Sequence, residues 1–286
     1  MDIKYDCIPC VTRQLIELAT RVTDNETKQK DIITYGLDII SKHTFTSSAP
    51  YLTGKIYDYG KKVSGVADAF KEEKETFNVI AEKLVKQLDL EKTVRSSERP
   101  LETAVRLSIA GNIIDFSLGV AIEENGVRAS IDDSLHSPFY GSTINELSQA
   151  IEEAENILIL ADNAGEIVFD KLLVEQLPRE KVTYVVKGGP CVNDATMADV
   201  KAVGMDKLVH VIDTGAAFQG IVFDESSQAF IEAFEKADLV ISKGQANFEC
   251  IGDLKDKPVF FLLRAKCQCI ADEIGCKKGA FVLLKK

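Results

Sequence analysis

Residues 157–166 read ILILADNAGE. An unbroken apolar run of this length suits a strand covered on both faces, as in a parallel sheet packed between helices. No turn spacer follows it: Asp162, Asn163 and Glu166 gather at once around a single glycine. Ligands of open α/β sheets collect at the carboxyl ends of the strands. The stretch therefore predicts a buried central strand that ends in a functional site.

The same rhythm continues toward the C-terminus. The β-rich runs KVTYVVKG, KLVHVID, DLVISKG and KPVFFLLR alternate with helical stretches such as GEIVFDKLLVEQL and DESSQAFIEAFEKA, the pattern of an α/β fold with a parallel sheet. Toward the N-terminus the pattern is helical. Leu15, Leu18 and Val22 are spaced by three and four, and IITYGLDII and FNVIAEKLVKQL repeat the stripe. Breaks at TDNET, TSSAPYLTG and RSSERP predict at least four helices. The change of rhythm divides the chain into a multihelical region, residues 1–125, and an α/β core, residues 126–286, with DDSLHSPFYGST expected as a loop.

Composition narrows the function. With 45% hydrophobic and 28% charged residues the chain is an ordinary globular protein. A net charge of −11 argues against nucleic acid, whose binding draws on clustered Lys and Arg. No apolar stretch approaches the roughly 18 residues that span a bilayer, and the first residues carry no signal-peptide core, so a cytoplasmic protein with no membrane partner is expected. Seven cysteines, an odd number, disfavour a disulfide scaffold.

Nearly every predicted strand ends in polar or glycine-containing residues. ILILA leads to Asp162-Asn163-Ala164-Gly165-Glu166, TYVVKGG to Asn193-Asp194, and VHVID to Asp213-Thr214-Gly215. LVISKG runs into Gln245 and Asn247, and VFFLL into Arg264 and Lys266. Any one of these could be a helix cap; together, on one edge of a parallel sheet, they describe a site. Carboxylates and an amide without a nearby histidine are hard oxygen ligands suited to Mg²⁺ or Mn²⁺. Lys266, Arg264 and Lys243, with backbone amides near Gly165, suit a phosphate. A divalent ion beside a phosphate points to phosphoryl chemistry. Competing motifs fail: there is no P-loop, the 161–166 turn has one glycine where a dinucleotide fingerprint needs three, and no Asp-x-Asp follows the first strand. His210, within LVHVI, reads as a core histidine.

ILILADNAGEIVFDKLL, VNDAT, VIDTG, ISKGQANFE and LLRAKC, preceded by AGNIIDF and an N-terminal CIPC, resemble the metal-dependent damage-control phosphatases, a family long catalogued as a domain of unknown function. The resemblance covers almost the whole chain. It implies a multihelical N-terminal region packed on a Rossmann-like α/β/α sandwich with a mostly parallel sheet, and hydrolysis of phosphate esters of small metabolites such as sugar phosphates. Asp162, Asn163 and Asp194 match the family's metal ligands, and Lys266 matches its phosphate-binding lysine. Gly244 and Asn247 fall in the segment that closes over the phosphate. Cys7-x-x-Cys10 and Lys266-Cys267 are similar to the stand-alone prokaryotic subgroup, while Arg264-Ala265-Lys266 departs from the Arg-Thr-x-Lys of eukaryotic members. Co²⁺ or Ni²⁺ is expected to substitute for the native ion.

Roles for the remaining residues stay open in the sequence. Glu166 reads as a base, a ligand through water or a partner for a substrate hydroxyl, and equally as an acid facing the positive end of its helix. Asn112 and Asp115 are candidates for the substrate side, with a buried helix contact as the alternative. Cys7 and Cys10 could join Cys267 and Cys269 in a structural zinc site or be buried thiols. A non-enzymatic phosphometabolite or nucleotide sensor, and a carboxyl methyltransferase, are the competing functions; the latter lacks a visible glycine-rich loop for a methyl donor.

Overall fold

The computed structural model describes residues 1–43, 45–112 and 124–286. The helical region comprises α1 (Cys7–Val22), α2 (Glu26–His43), α3 (Ala49–Ser64), α4 (Lys71–Gln87), α5 (Leu90–Ser96), α6 (Pro100–Gly111) and α7 (Glu124–His136). The remainder runs β1 (Phe139–Gly141), α8 (Ile144–Glu153), β2 (Ile157–Leu160), α9 (Glu166–Val174), β3 (Val182–Val186), α10 (Met197–Val203) and β4 (His210–Asp213). It ends with α11 (Gln228–Lys236), β5 (Leu239–Lys243), α12 (Gly244–Ile251), β6 (Val259–Arg264), α13 (Gln268–Ile274) and β7 (Phe281–Lys285).

The sheet order is β1-β7-β6-β5-β2-β3-β4. All neighbours are parallel except β6 and β7, so the expected α/β fold with a mostly parallel sheet is present. The five strands read from the sequence all form. Two were not expected: β7, which pairs antiparallel to β6, and the three-residue β1. The segment read as a loop, DDSLHSPFYGST, instead holds the end of α7 and all of β1. Three residues are too few for alternation to show, and β1 borrows its order from pairing with β7.

The opening run explains itself in three dimensions. Ile157 and Ile159 face one apolar layer with Leu107 of α6 and Phe169 of α9. Leu158 and Leu160 face the other, with Phe230 of α11 and Ile270 of α13. Alternate residues thus meet helices on opposite faces, and each buried side chain contributes about 1.5–3 kcal/mol. β4 lies at the sheet edge, so His210 is exposed rather than in the core. The apolar cluster on the α6 side runs across the change of rhythm near residue 125, from Ala81 to Leu283, whereas α1, α2 and α3 share a separate cluster.

Two features place the site. From β2 the chain adds β3 and β4 on one side, then returns to place β5 and β6 on the other. The order therefore reverses between β2 and β5, where a crevice opens at the carboxyl ends of the strands. Asp162 follows β2 and Gly244 follows β5, so both stand at this switch point.

Candidate active site

Asp194 reaches Asp162 through backbone pairing. After β3 the chain doubles back: the Ala195 N–H donates to the Asp162 carbonyl at 2.8 Å, and the Ala164 N–H donates to the Asn193 carbonyl at 2.9 Å. An isolated antiparallel bridge joins Asn163 to Asp194. Val192 in this turn has φ +48°, a conformation costly for a β-branched residue.

Asp162 is buried, and its Oδ2 accepts from Asn112 Nδ2 at 2.6 Å and from Asn163 Nδ2 at 2.9 Å. The same Asn112 amide donates to Glu166 Oε2 at 2.6 Å. Asn163 engages its amide nitrogen with these acids, and no hydrogen bond to its Oδ1 is formed among the described residues. Burial raises the Asp162 carboxyl, opposed first by Lys266 and then by Lys187. Burial also holds Asp194 well above the usual carboxylate range, against the pull of Lys187. Lys187 Nζ lies 3.6 Å from Asp194 Oδ2, too far for a hydrogen bond, and that oxygen has no hydrogen-bond partner among the described residues.

Asp162, Asn163, Asp194 and Lys266 line one cavity of about 230 Å³. Cys7, Cys10, Cys267 and Cys269 line it as well. The structure therefore brings the expected catalytic set together with both cysteine pairs. Burial, and after it Cys7, push the Cys269 thiol up to about 12. Among the described residues no three Cys, His, Asp or Glu side chains converge to hold a metal ion. The four thiols share a wall without forming the tetrahedral zinc arrangement the sequence allowed.

The other expected substrate residues do not line the cavity. Lys243 is the clearest correction: it is wholly buried, with Nζ 2.5 Å from Glu166 Oε1, 2.5 Å from Asp170 Oδ1 and 3.2 Å from the Ser108 carbonyl. Burial alone would lower its pKa; Asp170 and Glu166 more than reverse that, so it stays a cation bound to protein acids. Glu166 is accordingly an internal ion-pair partner, its carboxyl raised by burial to about 7 despite Lys243. Arg264 donates from Nε to the Gly279 carbonyl at 3.2 Å and stacks over Phe281. Asn112 sits behind the acids, tying Asp162 to Glu166. Asp115 lies outside the described residues.

Asn247 and the glycines act on position. Asn247 donates from Nδ2 to the Ala161 carbonyl at 3.1 Å and the Lys243 carbonyl at 2.8 Å, and its Oδ1 accepts from Lys187 at 2.9 Å. It thereby pins the ends of β2 and β5 together from beneath. Gly165, φ +78°, turns the chain into α9 and donates its N–H to Asn78 Oδ1 at 2.7 Å. A Cβ on Gly244 would stand 1.9 Å from Asp162 Oδ2.

Sequence reasoning passed over Lys187 and Glu249, and named Gln245 only as a polar residue at a strand end. Lys187 followed an apolar strand and gave no signal beyond its position at a strand end. Glu249 and Gln245 stood inside ISKGQANFE, but only the helix geometry of α12 shows that both line the cavity.

The fold is thus a Rossmann-like α/β one in which two acids, an amide and a lysine line one cavity at the switch point. The family is more definite: the model of the damage-control phosphatase ARMT1-like domain matches residues 3–282, and the chain belongs to that family. It is 35% identical to a damage-control phosphatase of Pyrococcus horikoshii, covering 100% of this chain and 98% of that protein. It is 34% identical to a damage-control phosphatase of Archaeoglobus fulgidus, covering 99% and 98%. An uncharacterized protein of Methanocaldococcus jannaschii is 36% identical, over 99% and 95%. A crystal structure of a DUF89 family protein from Pyrococcus horikoshii superposes with a TM-score of 0.89 at 32% identity, covering 100% of this chain and 99% of that one. No described helix is long and apolar enough to cross a membrane.

Proposed function

We propose that this chain is a divalent-cation-dependent phosphomonoester hydrolase acting on small phosphorylated metabolites, with Mg²⁺ or Mn²⁺ held by Asp162, Asn163 and Asp194. The donor set carries this reading. Two buried carboxylates, Asp162 and Asp194, line one cavity beside the Asn163 amide, and Asp194 Oδ2, which has no hydrogen-bond partner among the described residues, offers a hard oxygen to a cation. Buried charges without a counterpart are costly.

The cation would supply Lewis-acid polarisation of the phosphate. Burial raises the carboxyls of Asp162 and Asp194, and a cation held by them would favour their ionised form. Asn163 offers a neutral oxygen, which keeps the site from excess negative charge. Asn112 and Gly244 fix the Asp162 carboxylate from two sides. Lys266 binds the phosphate oxygens and offsets charge that grows on them as the ester bond breaks. The damage-control phosphatases among its relatives support the same chemistry.

Phosphate release from 4-nitrophenyl phosphate tests the reading. After chelation the rate is expected to vanish, and to return with Mg²⁺, Mn²⁺, Co²⁺ or Ni²⁺. Asp162→Ala and Asp194→Ala are expected to lose it by at least a hundredfold while still unfolding cooperatively, since strand-end carboxylates contribute little packing. Absence of release with every cation would favour the sensor instead, and full activity in both variants would remove the site assignment.

A further inference from the structure

Glu249 lines the same cavity, and the reading above gives it no task. It is 8% exposed. Gln245 Nε2 donates to its Oε1 at 3.2 Å, and among the described residues no hydrogen-bond partner reaches Oε2. Oε2 is not closed off from the cavity, so a ligand there can complete the carboxyl's hydrogen bonding. We propose that Glu249 selects hydroxylated substrates, accepting a hydrogen bond from a hydroxyl on the carbon skeleton of a phosphorylated sugar or polyol whose phosphate lies at Lys266. The proposal rests on the functional reading above and names the residue that would read the rest of the molecule.

Three observations support it. The first is reach: α12 begins at Gly244, which abuts Asp162, and five residues of helix place Glu249 about 7.5 Å further along the axis. That distance suits a hydroxyl a few bonds from a phosphate ester. The second is coupling. Gln245, whose amide nitrogen holds Glu249, accepts through its Oε1 from the Lys266 N–H at 3.3 Å. One side chain thus sets the spacing between the acid and the lysine segment.

The third is the character of the wall. Gln14, Thr53 and Gln219 add donors and acceptors, and no aromatic side chain lines the cavity among the described residues. A nucleobase lacks the stacking face it ordinarily finds, whereas a polyol finds partners. Burial pushes the Glu249 carboxyl up to about 7. A hydroxyl, which both donates and accepts, serves such a group in either protonation state, while a second anionic group does not.

Calorimetric binding with two phosphonates, which resist hydrolysis, separates this idea from the catalytic one. The probes are a hexose 6-phosphonate and methylphosphonate, each with Mn²⁺ present. The wild type is expected to bind the sugar phosphonate at least tenfold more tightly, and Glu249→Ala to reduce that ratio at least fivefold. Glu249→Gln, which keeps a carbonyl acceptor, is expected to retain most of it; Glu249→Asp, one methylene short, is not. Methylphosphonate binding in each variant reports whether the site survived, and the Asp and Gln variants carry the test if Ala does not fold. A wild-type ratio near one, or a ratio unchanged in the Ala and Asp variants, overturns the proposal. Sugar-phosphonate preference without turnover of the corresponding phosphate would instead count against the hydrolase reading alone.

Discussion

Gly244 and Asp162 show how little room is left where β2 and β5 end. Gly244 has φ +75°, and a Cβ there would overlap Asp162 Oδ2, so the position excludes side chains by conformation and by space. Gly244→Ala is therefore expected to displace the Asp162 carboxylate. Metal-dependent phosphate release should fall by at least a hundredfold and stability by about 1–3 kcal/mol, measured by turnover and by denaturant unfolding; an active, equally stable variant would show that Asp162 tolerates displacement. Lys266 offers the opposite case. Lys266→Met keeps the apolar stem and deletes the cation, so phosphate affinity should drop at least tenfold while Mn²⁺ affinity stays within a factor of about two. Calorimetry with each ligand distinguishes these outcomes.

Among the elements, β5 and α9 carry the internal charges. Lys243 ends β5 and meets Glu166 and Asp170 of α9, Tyr184 of β3 donates to Asp170 Oδ2 at 2.7 Å, and Ser108 of α6 donates to Asp170 Oδ1 at 2.6 Å. Lys243→Met would leave two acids without their cation in a dry site and is expected to cost about 3–5 kcal/mol. Thermal unfolding should register this loss, in contrast to Lys266→Met. A second junction lies at the start of β5, where Asp238 accepts from the backbone N–H groups of Glu155 at 3.1 Å and Asn156 at 3.0 Å. Though burial opposes ionisation, these bonds hold its carboxyl below the ordinary 3.8. A depressed carboxyl stabilises the fold fully above its unfolded value and loses that contribution as pH falls through its folded one. Asp238→Ala should therefore cost about 1 kcal/mol at pH 7, discounted for its exposure. The gap from wild type should narrow below about pH 4, and unfolding curves at pH 7 and pH 3 check the sign.

For the whole molecule, cavity and fold share one energy. The cavity draws on α1, α3, α12, α13, the ends of β2 and β6 and the turn after β3, and the Lys4–Glu273 ion pair at 2.8 Å brings the approach to α1 against α13. A cation that binds only this assembled state adds about 2.7 kcal/mol at a hundred times its dissociation constant. Mn²⁺ is expected to raise the melting temperature by several degrees, chelation to reverse the rise, and Asp162→Ala with Asp194→Ala to abolish it. An equal shift in the double variant would place the cation elsewhere.

Periodicity made the parallel strands legible, because strands covered on both faces leave no polar position, and ILIL alternates between two apolar layers. That Asp162, Asn163, Asp194 and Lys266 would meet was legible too, because all four follow strand ends on one edge of the sheet. Lys243 and Lys187 were not. A lysine at a strand end looks the same whether it faces a ligand or an internal acid, and only the placement of Glu166, Asp170 and Asn247 around them decided that both are internal. Arg264 turned away for a similar reason, drawn to the Gly279 carbonyl beside a β7 that alternation had not revealed. Glu249 and the paired cysteines became neighbours of Asp162 and Asp194 because distant segments of the chain converge on one crevice. Local sequence encodes burial and chain direction; which charge meets which is set by long-range packing, where a few ångströms separate a ligand contact from an ion pair.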